Sequence, residues 1–300
     1  MLSYIELVAS LPDTDKKRSG RTLMQDSIAR VFHDDGAVLV KGLLNKEQLA
    51  RCRAAYEWAV EHHGPHATRM FAGTTQQSHV DNANPLAKQR LEALVASLPL
   101  GNLFAHIWGS RNVWYFAEEV FLKAGGQGSR TLWHQDTSYL PWAGEHWGNA
   151  WISFESVPQR NALEIVRGSH RGPRYDGTTF ADPEDPTQPL HDNGALPRLP
   201  DIEAERKRDP SAYDILSWAT EPGDVVLLHP ASLHGGAPVD PDFPSRHTFV
   251  FRFFGDDATF RPLPKNSKAR YPQQGVLFTE ELTHLSPGAP FRHPTFRQVV

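Results

Sequence analysis

In the stretch TLWHQDTSYLPW, residues 131–142, His134 and Asp136 stand two positions apart. Side chains at i and i+2 of a β-strand share a face. An imidazole and a carboxylate would therefore project together, with Gln135 opposite. Such a pair can hold two adjacent positions around a divalent metal, and a third donor must come from elsewhere. The stretch LLHPASLHGGAP, residues 227–238, offers His229 and His234. His234 precedes Gly235-Gly236, where bare backbone lets a ligand approach closely. Two histidines and one carboxylate are the facial donor set of non-haem Fe(II) oxygenases, which leaves three metal positions open. A structural zinc site would be closed, usually by four ligands and often with thiolates. The single cysteine, Cys52, rules out a CxxC site.

An iron site of this kind draws electrons from a cosubstrate. 2-Oxoglutarate chelates the metal through its keto-acid end, and its far carboxylate then needs a cation deeper in the fold. Arg246 lies in SRHTFVFRFF, twelve residues after His234 (246 − 234). Its guanidinium fork can bind a carboxylate through two parallel hydrogen bonds. Arg252 shares strand parity with Arg246 and is the second candidate; Lys123 is the third.

The elements that must position these groups are legible in outline. QDSIARVFHDDG reads as a short helix ending near Gly36, and AVLVKGLL as a strand. NKEQLARCRAAYEWAVEHH follows as an amphipathic helix with Leu49, Cys52, Tyr56, Ala59 and Val60 on its buried stripe. Asn45 is its N-cap and Gln48 completes a capping box. Residues 86–110 read as a further helical region. From residue 113 short β-rich runs alternate with Gly and Pro turns: VWYFAEEVFLK, RTLWHQD, NAWISFESV, NALEIVRGSH, GDVVLLH and RHTFVFRFFGD. Several short strands with turns between them predict a sandwich or barrel. Residues 171–220 form a long Pro/Asp/Arg-rich insert, the kind of segment that often serves as a functional lid. The Pro-rich tail is expected on the surface. The organisation expected is one domain over 1–300, with a helical part at about 1–110, a β core at about 113–257 and a surface tail over 258–300.

Bulk properties narrow the classes. The chain has 300 residues, 39% hydrophobic and 22% charged, with a formal net charge of −4. That is a globular composition, and its scattered Lys and Arg give no nucleic-acid footprint. No apolar run reaches the roughly 18 residues of a membrane span. A lone cysteine fits a reducing, cytoplasmic setting. The N-terminus carries its acid early and its basic cluster late, the wrong order for a signal peptide.

From VFHDDGAVLVKGLLNKEQLARCRAA through LWHQD, NAWISFESV, NALEIVRGSH and GDVVLLHPASLHGG to Arg246, the sequence resembles the phytanoyl-CoA dioxygenase family of Fe(II)/2-oxoglutarate oxygenases. The resemblance runs from about residue 27 to 257. It implies a mainly β fold with flanking α, a cupin-like double-stranded β-helix (jelly roll) with N-terminal helices packed outside. It implies His134, Asp136 and His234 as iron ligands, Arg246 as cosubstrate anchor and Trp151 as a wall for 2-oxoglutarate. The implied chemistry uses Fe(II), 2-oxoglutarate and O2, with ascorbate as an aid in vitro, and releases succinate and CO2 as a small-molecule substrate is oxidised. An aspartate at 136 favours hydroxylation over halogenation, since related halogenases carry Gly or Ala there; desaturation, ring closure and epimerisation stay open. Two departures stand out. NALEIVRGSH has one glycine fewer than the family pattern and Arg167 where proline is common, and Gly236 replaces a small hydroxyl residue that often contacts the cosubstrate.

Blander readings compete at several positions. His229 reads as a packing histidine, His170 as a strand-end or lid contact, and His62, His63, His66 and His79 as surface or loop residues. Arg252 fits a partner for a carboxylate within the sheet. Trp133, Tyr139, Trp142, Trp147 and Phe154 fit core and substrate wall equally. Trp133, Tyr139 and Trp142 are the aromatic substrate candidates, and Arg171 and Arg174 the basic ones. Rival functions are a non-catalytic jelly roll that binds a metal or small molecule, and a cupin-like metal-dependent hydrolase or isomerase. Neither rival needs an anchor at Arg246.

Overall fold

The computed structural model describes residues 15–300 except 66, 71–77, 125–129, 181, 183, 244, 265–281 and 283. The expectation for His66 and much of the Pro-rich tail lies outside the described residues. Fourteen strands follow in chain order. They are β1 (Ala37–Val40), β2 (Thr68–Met70), β3 (Ser78–Asn82), β4 (Trp114–Ala124), β5 (Thr131–His134), β6 (Trp142–Ala143) and β7 (Trp147–Ser153). Then come β8 (Leu163–Val166), β9 (Ile215–Leu216), β10 (Val225–Leu228), β11 (His234–Gly236), β12 (Ser245–Phe254), β13 (Thr259–Phe260) and β14 (Arg297–Gln298). The helices are α1 (Asp15–Asp35), α2 (Lys46–Glu61), α3 (Lys88–Val95), α4 (Leu100–Trp108) and α5 (Ile202–Arg208).

The large sheet runs β1-β10-β7-β12-β4-β3-β2, with β14 on β4; the smaller one runs β5-β11-β8-β9. All pairings are antiparallel. The two sheets face each other as a jelly roll. Alternation along β12 shows how the sequence builds it. Phe249, Phe251 and Phe253 point outward and are fully buried under the helices, in one core with Phe32, Leu91, Leu100 and Phe104. Val250 points inward, packing with Trp151, Val226 and Leu228 of the large sheet and Leu163 and Ile165 of the small one. The same inward row carries Arg246 and Arg252. One strand thus covers the helical layer with phenylalanines and lines the interior with cations.

The capping box at Asn45 and Gln48 is present, and Cys52, Tyr56 and Ala59 are buried as the α2 stripe predicts. Burial pushes the Cys52 thiol up to about 12, so it is an inert packing group. Three expectations change. The first helix is longer than its apolar pattern, spanning 15–35. The 86–110 region is two helices that meet at a bend of 66°. The C-terminal residues are not a surface wrap: Phe291 and Phe296 are buried in an aromatic core with Phe116, Trp142, Trp147 and Phe254, and β14 extends the large sheet. A Pro-rich segment can enter a core where its phenylalanines find an open sheet edge. No single described helix is long and apolar enough to cross a membrane; α3 and α4 bury their apolar faces against the sheet.

Candidate active site

His134 is the last residue of β5 and His234 the first of β11, directly opposite each other in the ladder. Asp136 leaves the strand and opens a short 3-10 turn, Asp136–Ser138, which swings its carboxylate back over the two rings. The His134 and His234 ring centroids are 4.3 Å apart. Asp136 Oδ1 lies 3.4 Å from His134 Nε2 and 3.7 Å from His234 Nε2. One ligand atom from each residue falls within 4.8 Å of the others.

The surroundings suit a metal. His134 Nδ1 donates to the Leu132 carbonyl at 2.8 Å and His234 Nδ1 to the Ser232 carbonyl at 2.9 Å. Each bond fixes the tautomer that presents a bare Nε2 lone pair. Burial, with His134 alongside, pushes His234 down to about 4, which keeps its imidazole neutral at neutral pH. Burial alone would raise the Asp136 carboxyl, but His134, His234 and Arg252 together hold it well below the usual carboxylate range. Asp136 Oδ2 accepts from Asn149 Nδ2 at 2.7 Å and lies 3.8 Å from Arg252 Nε. These partners leave Oδ1 as the oxygen that faces the histidines. Two imidazoles that present Nε2 and one oriented carboxylate fit an open iron site, and no cysteine or second carboxylate joins the set among the described residues.

Deeper in the interior, Arg246 on β12 stands opposite Lys123 on β4, and both are buried. Arg246 donates to the Asn161 carbonyl, and its Nε has no hydrogen-bond partner among the described residues. Burial lowers Arg246 to about 10, so it stays charged at neutral pH. Burial, then Arg246 and Arg130, pushes Lys123 well below its ordinary value. Lys123 Nζ donates to Thr131 Oγ1. A β-bulge in the β5–β11 ladder, where the register shifts between His234 and Gly236, turns both Thr131 and His134 inward although they are three residues apart. A Cβ at Gly236 would be a tight fit, 3.0 Å from Arg246 Nη2 and 3.2 Å from Thr131 Oγ1. Thr131 places a hydroxyl across the ladder from Gly236.

Sequence reasoning missed Asn149, Thr131 and Glu119. Asn149 was within reach, being two residues before Trp151 and opposite Arg252 on β12. Thr131 was hidden by the bulge. Glu119 pairs with Arg252, and burial raises its carboxyl although Arg252 opposes the shift.

Other expected residues lie elsewhere. Trp133 faces away from His134, packs with Leu199, Ile202 and Leu233, and donates its indole N–H to Glu203 at 2.7 Å. It docks α5 rather than lining the site. Trp142 stacks on Trp147 at 4.1 Å inside the aromatic core. Phe154 is buried beneath α2, against Tyr56. Arg171 is exposed and holds the Asp34 carbonyl at the end of α1. Arg174 is half-buried in the field of Glu145. His229 is buried beside His170, 5.3 Å between rings, and is not among the grouped donors. His79, expected at the surface, is buried on β3. Tyr139 is at the site, its ring 5.9 Å from His134.

The insert is anchored by the turn that carries the ligands. Gln135, facing away from the metal donors, donates to the Pro173 and Ala231 carbonyls and accepts from Tyr175 N–H at 3.0 Å. Ser138 Oγ donates to the Tyr175 carbonyl at 2.9 Å.

Comparison with known proteins agrees with this geometry. No match was found among curated proteins. Among solved structures, the epimerase SnoN, in complex with Fe3+, alpha ketoglutarate and nogalamycin RO, is similar at TM-score 0.67 and 19% identity, covering 93% of this chain and 99% of that one. The alpha ketoglutarate dependent carbocyclase SnoK is similar at TM-score 0.63 and 21% identity, covering 91% and 96%. AviO1 from Streptomyces viridochromogenes Tue57 follows at TM-score 0.55 and 19% identity, covering 80% and 98%. These likenesses establish the jelly-roll fold. The phytanoyl-CoA dioxygenase (PhyH) family matches residues 32–248, so the chain belongs to that family of iron- and 2-oxoglutarate-dependent oxygenases.

Proposed function

We propose that this oxygenase hydroxylates a small molecule, with His134, Asp136 and His234 holding Fe(II) and Arg246 anchoring 2-oxoglutarate. The observation that carries the reading is the pairing of two features in one interior. An open three-donor set sits near the end of β5, and a buried arginine with no carboxylate partner among the described residues sits at the start of β12. Thr131 lies roughly 10 Å along β5 from His134 at a strand rise of about 3.3 Å per residue. A five-carbon diacid chelated at one end can bring its other end to that depth.

When bound, the iron supplies the oxidising chemistry that couples 2-oxoglutarate decarboxylation to substrate oxidation. The chain's own work is positional. Asn149 and Arg252 hold Oδ2 of Asp136, which keeps this ligand monodentate and leaves room for the keto acid. Arg246 meets the far carboxylate, Thr131 and Lys123 offer further donors, and Trp151 walls the channel between Val226 and Val250, its neighbours across the ladder. Gln135 and Ser138 fasten the insert beside the metal turn, which screens the site from water. Retention of a carboxylate at 136 supports hydroxylation over halogenation. The similar proteins SnoN and SnoK are an epimerase and a carbocyclase, and epimerisation and ring closure are the alternative outcomes for the same donor set. A hydrolase or a passive binding protein would have no use for a buried Arg246 that faces no carboxylate among the described residues. The test is succinate release from 2-oxoglutarate with Fe(II) and ascorbate, with Asp136→Ala as control. Wild-type release that Asp136→Ala abolishes supports the reading; equal release from both overturns it.

A further inference from the structure

We propose that Phe180 and Tyr139 form a stacking wall for a flat aromatic ring of the substrate, which narrows the substrate class to molecules carrying such a ring. The proposal rests on the assignment of His134 as an iron ligand. The Phe180 ring lies 5.4 Å from the His134 ring and 5.7 Å from that of Tyr139. Tyr139 meets His134 edge-on at 5.9 Å, so the three rings form one continuous surface beside the donors.

Two features of Phe180 are unfavourable to the folded chain. Its φ is 57°, in the left-handed region that disfavours residues with a Cβ. The residue is 47% exposed, whereas every other Phe, Tyr and Trp among the described residues is buried or half-buried. A glycine or asparagine would satisfy the backbone better, and a polar residue would satisfy the solvent. The surroundings nevertheless hold the loop in place. Tyr139 Oη donates to the Thr178 carbonyl at 2.7 Å and accepts from Thr178 N–H at 2.9 Å. The buried Asp176 carboxylate accepts from His191 N–H at 2.5 Å and Asp192 N–H at 2.9 Å. His191 Nε2 reaches the Ser138 carbonyl at 3.0 Å, so the insert is sewn to the metal turn on both flanks of Phe180. Strain and exposure that the surrounding structure enforces at a metal ligand mark a residue kept for what it touches.

The experiment compares 2-naphthol with its saturated counterpart, decahydro-2-naphthol, by calorimetric titration of the anaerobic Fe(II)–2-oxoglutarate enzyme. Wild type is expected to bind the flat probe more tightly. Phe180→Gly should weaken naphthol roughly three- to tenfold, the contribution of one aromatic contact, with little effect on the saturated probe. Phe180→Trp should restore the preference, and Phe180→Gly should unfold at the same or a higher temperature because the backbone strain is relieved. Equal naphthol affinity in wild type and Phe180→Gly, or no preference for the flat probe in wild type, overturns the wall. The charge-transfer band of iron-bound 2-oxoglutarate is recorded in the same samples. Its absence from wild type would overturn the iron assignment and this proposal together, whereas a normal band with unchanged naphthol binding would overturn the wall alone.

Discussion

The two ends of the jelly-roll interior treat charge in opposite ways. At the metal end, Arg252 lies between two carboxylates, pairing with Glu119 and approaching Asp136 Oδ2 at 3.8 Å. Every charged group there faces an opposite charge, and the two histidines are held by backbone carbonyls. At the deep end, Arg246 and Lys123 oppose each other across adjacent strands, and among the described residues no carboxylate pairs with Arg246. Burial and the neighbouring Arg246 push Lys123 well below its ordinary value, and an anion placed between the two basic groups would relieve that cost. On the proposed reading, the metal end receives a cation, the deep end receives a carboxylate, and a single chelating diacid would link them.

The comparison can be broken most sharply at the ligands. His134→Ala, Asp136→Ala or His234→Ala should abolish iron-dependent 2-oxoglutarate turnover, measured as succinate release and as iron content after desalting. At the deep end, Arg246→Gln should raise the 2-oxoglutarate KM by at least ~30-fold while iron content holds, since truncating a buried charge partner costs about 2–5 kcal/mol. Asn149→Ala separates the ends further: it should lower iron affinity roughly 10- to 100-fold, the usual effect of losing a hydrogen bond to a ligand, with a smaller change in 2-oxoglutarate KM. An Asn149→Ala enzyme with normal iron affinity would mean that Oδ2 needs no partner.

The smallest effect expected is on acid stability. Burial, with His170 alongside, pushes His229 down to about 3. The unfolded chain takes up that proton near pH 6.5, while the folded chain refuses it until much lower pH. Protons therefore favour the unfolded state between these values, and stability is lost as pH falls from about 6.5 towards 3, by at most about 1.4 kcal/mol per pH unit from this group. Chemical denaturation of wild type and His229→Gln at several pH values checks this; parallel slopes would remove His229 as the cause.

Much of this arrangement was legible in the sequence, because alternation on strands is a local rule. The parity of Arg246 and Arg252 and the capping box of α2 follow from single elements; Asp136 joins His134 as expected, but through the 3-10 turn after β5 and not through alternation on one strand. What was hidden depends on contacts between elements. The bulge that turns Thr131 inward exists only in the β5–β11 ladder. Trp142 and Tyr139 are three residues apart, yet Trp142 stacks on Trp147 and Tyr139 flanks His134. Composition treats these aromatics alike; Trp142 is buried in the core that Phe291 and Phe296 share, while Tyr139 packs only at its margin.

The most direct test of the central claim is anaerobic titration of the Fe(II) protein with 2-oxoglutarate, following the charge-transfer band of the chelate. The band should form in wild type, fail in His234→Ala, and form in Arg246→Gln only at 2-oxoglutarate concentrations at least ~30-fold higher. A band that saturates at the same 2-oxoglutarate concentration in wild type and Arg246→Gln would contradict the account.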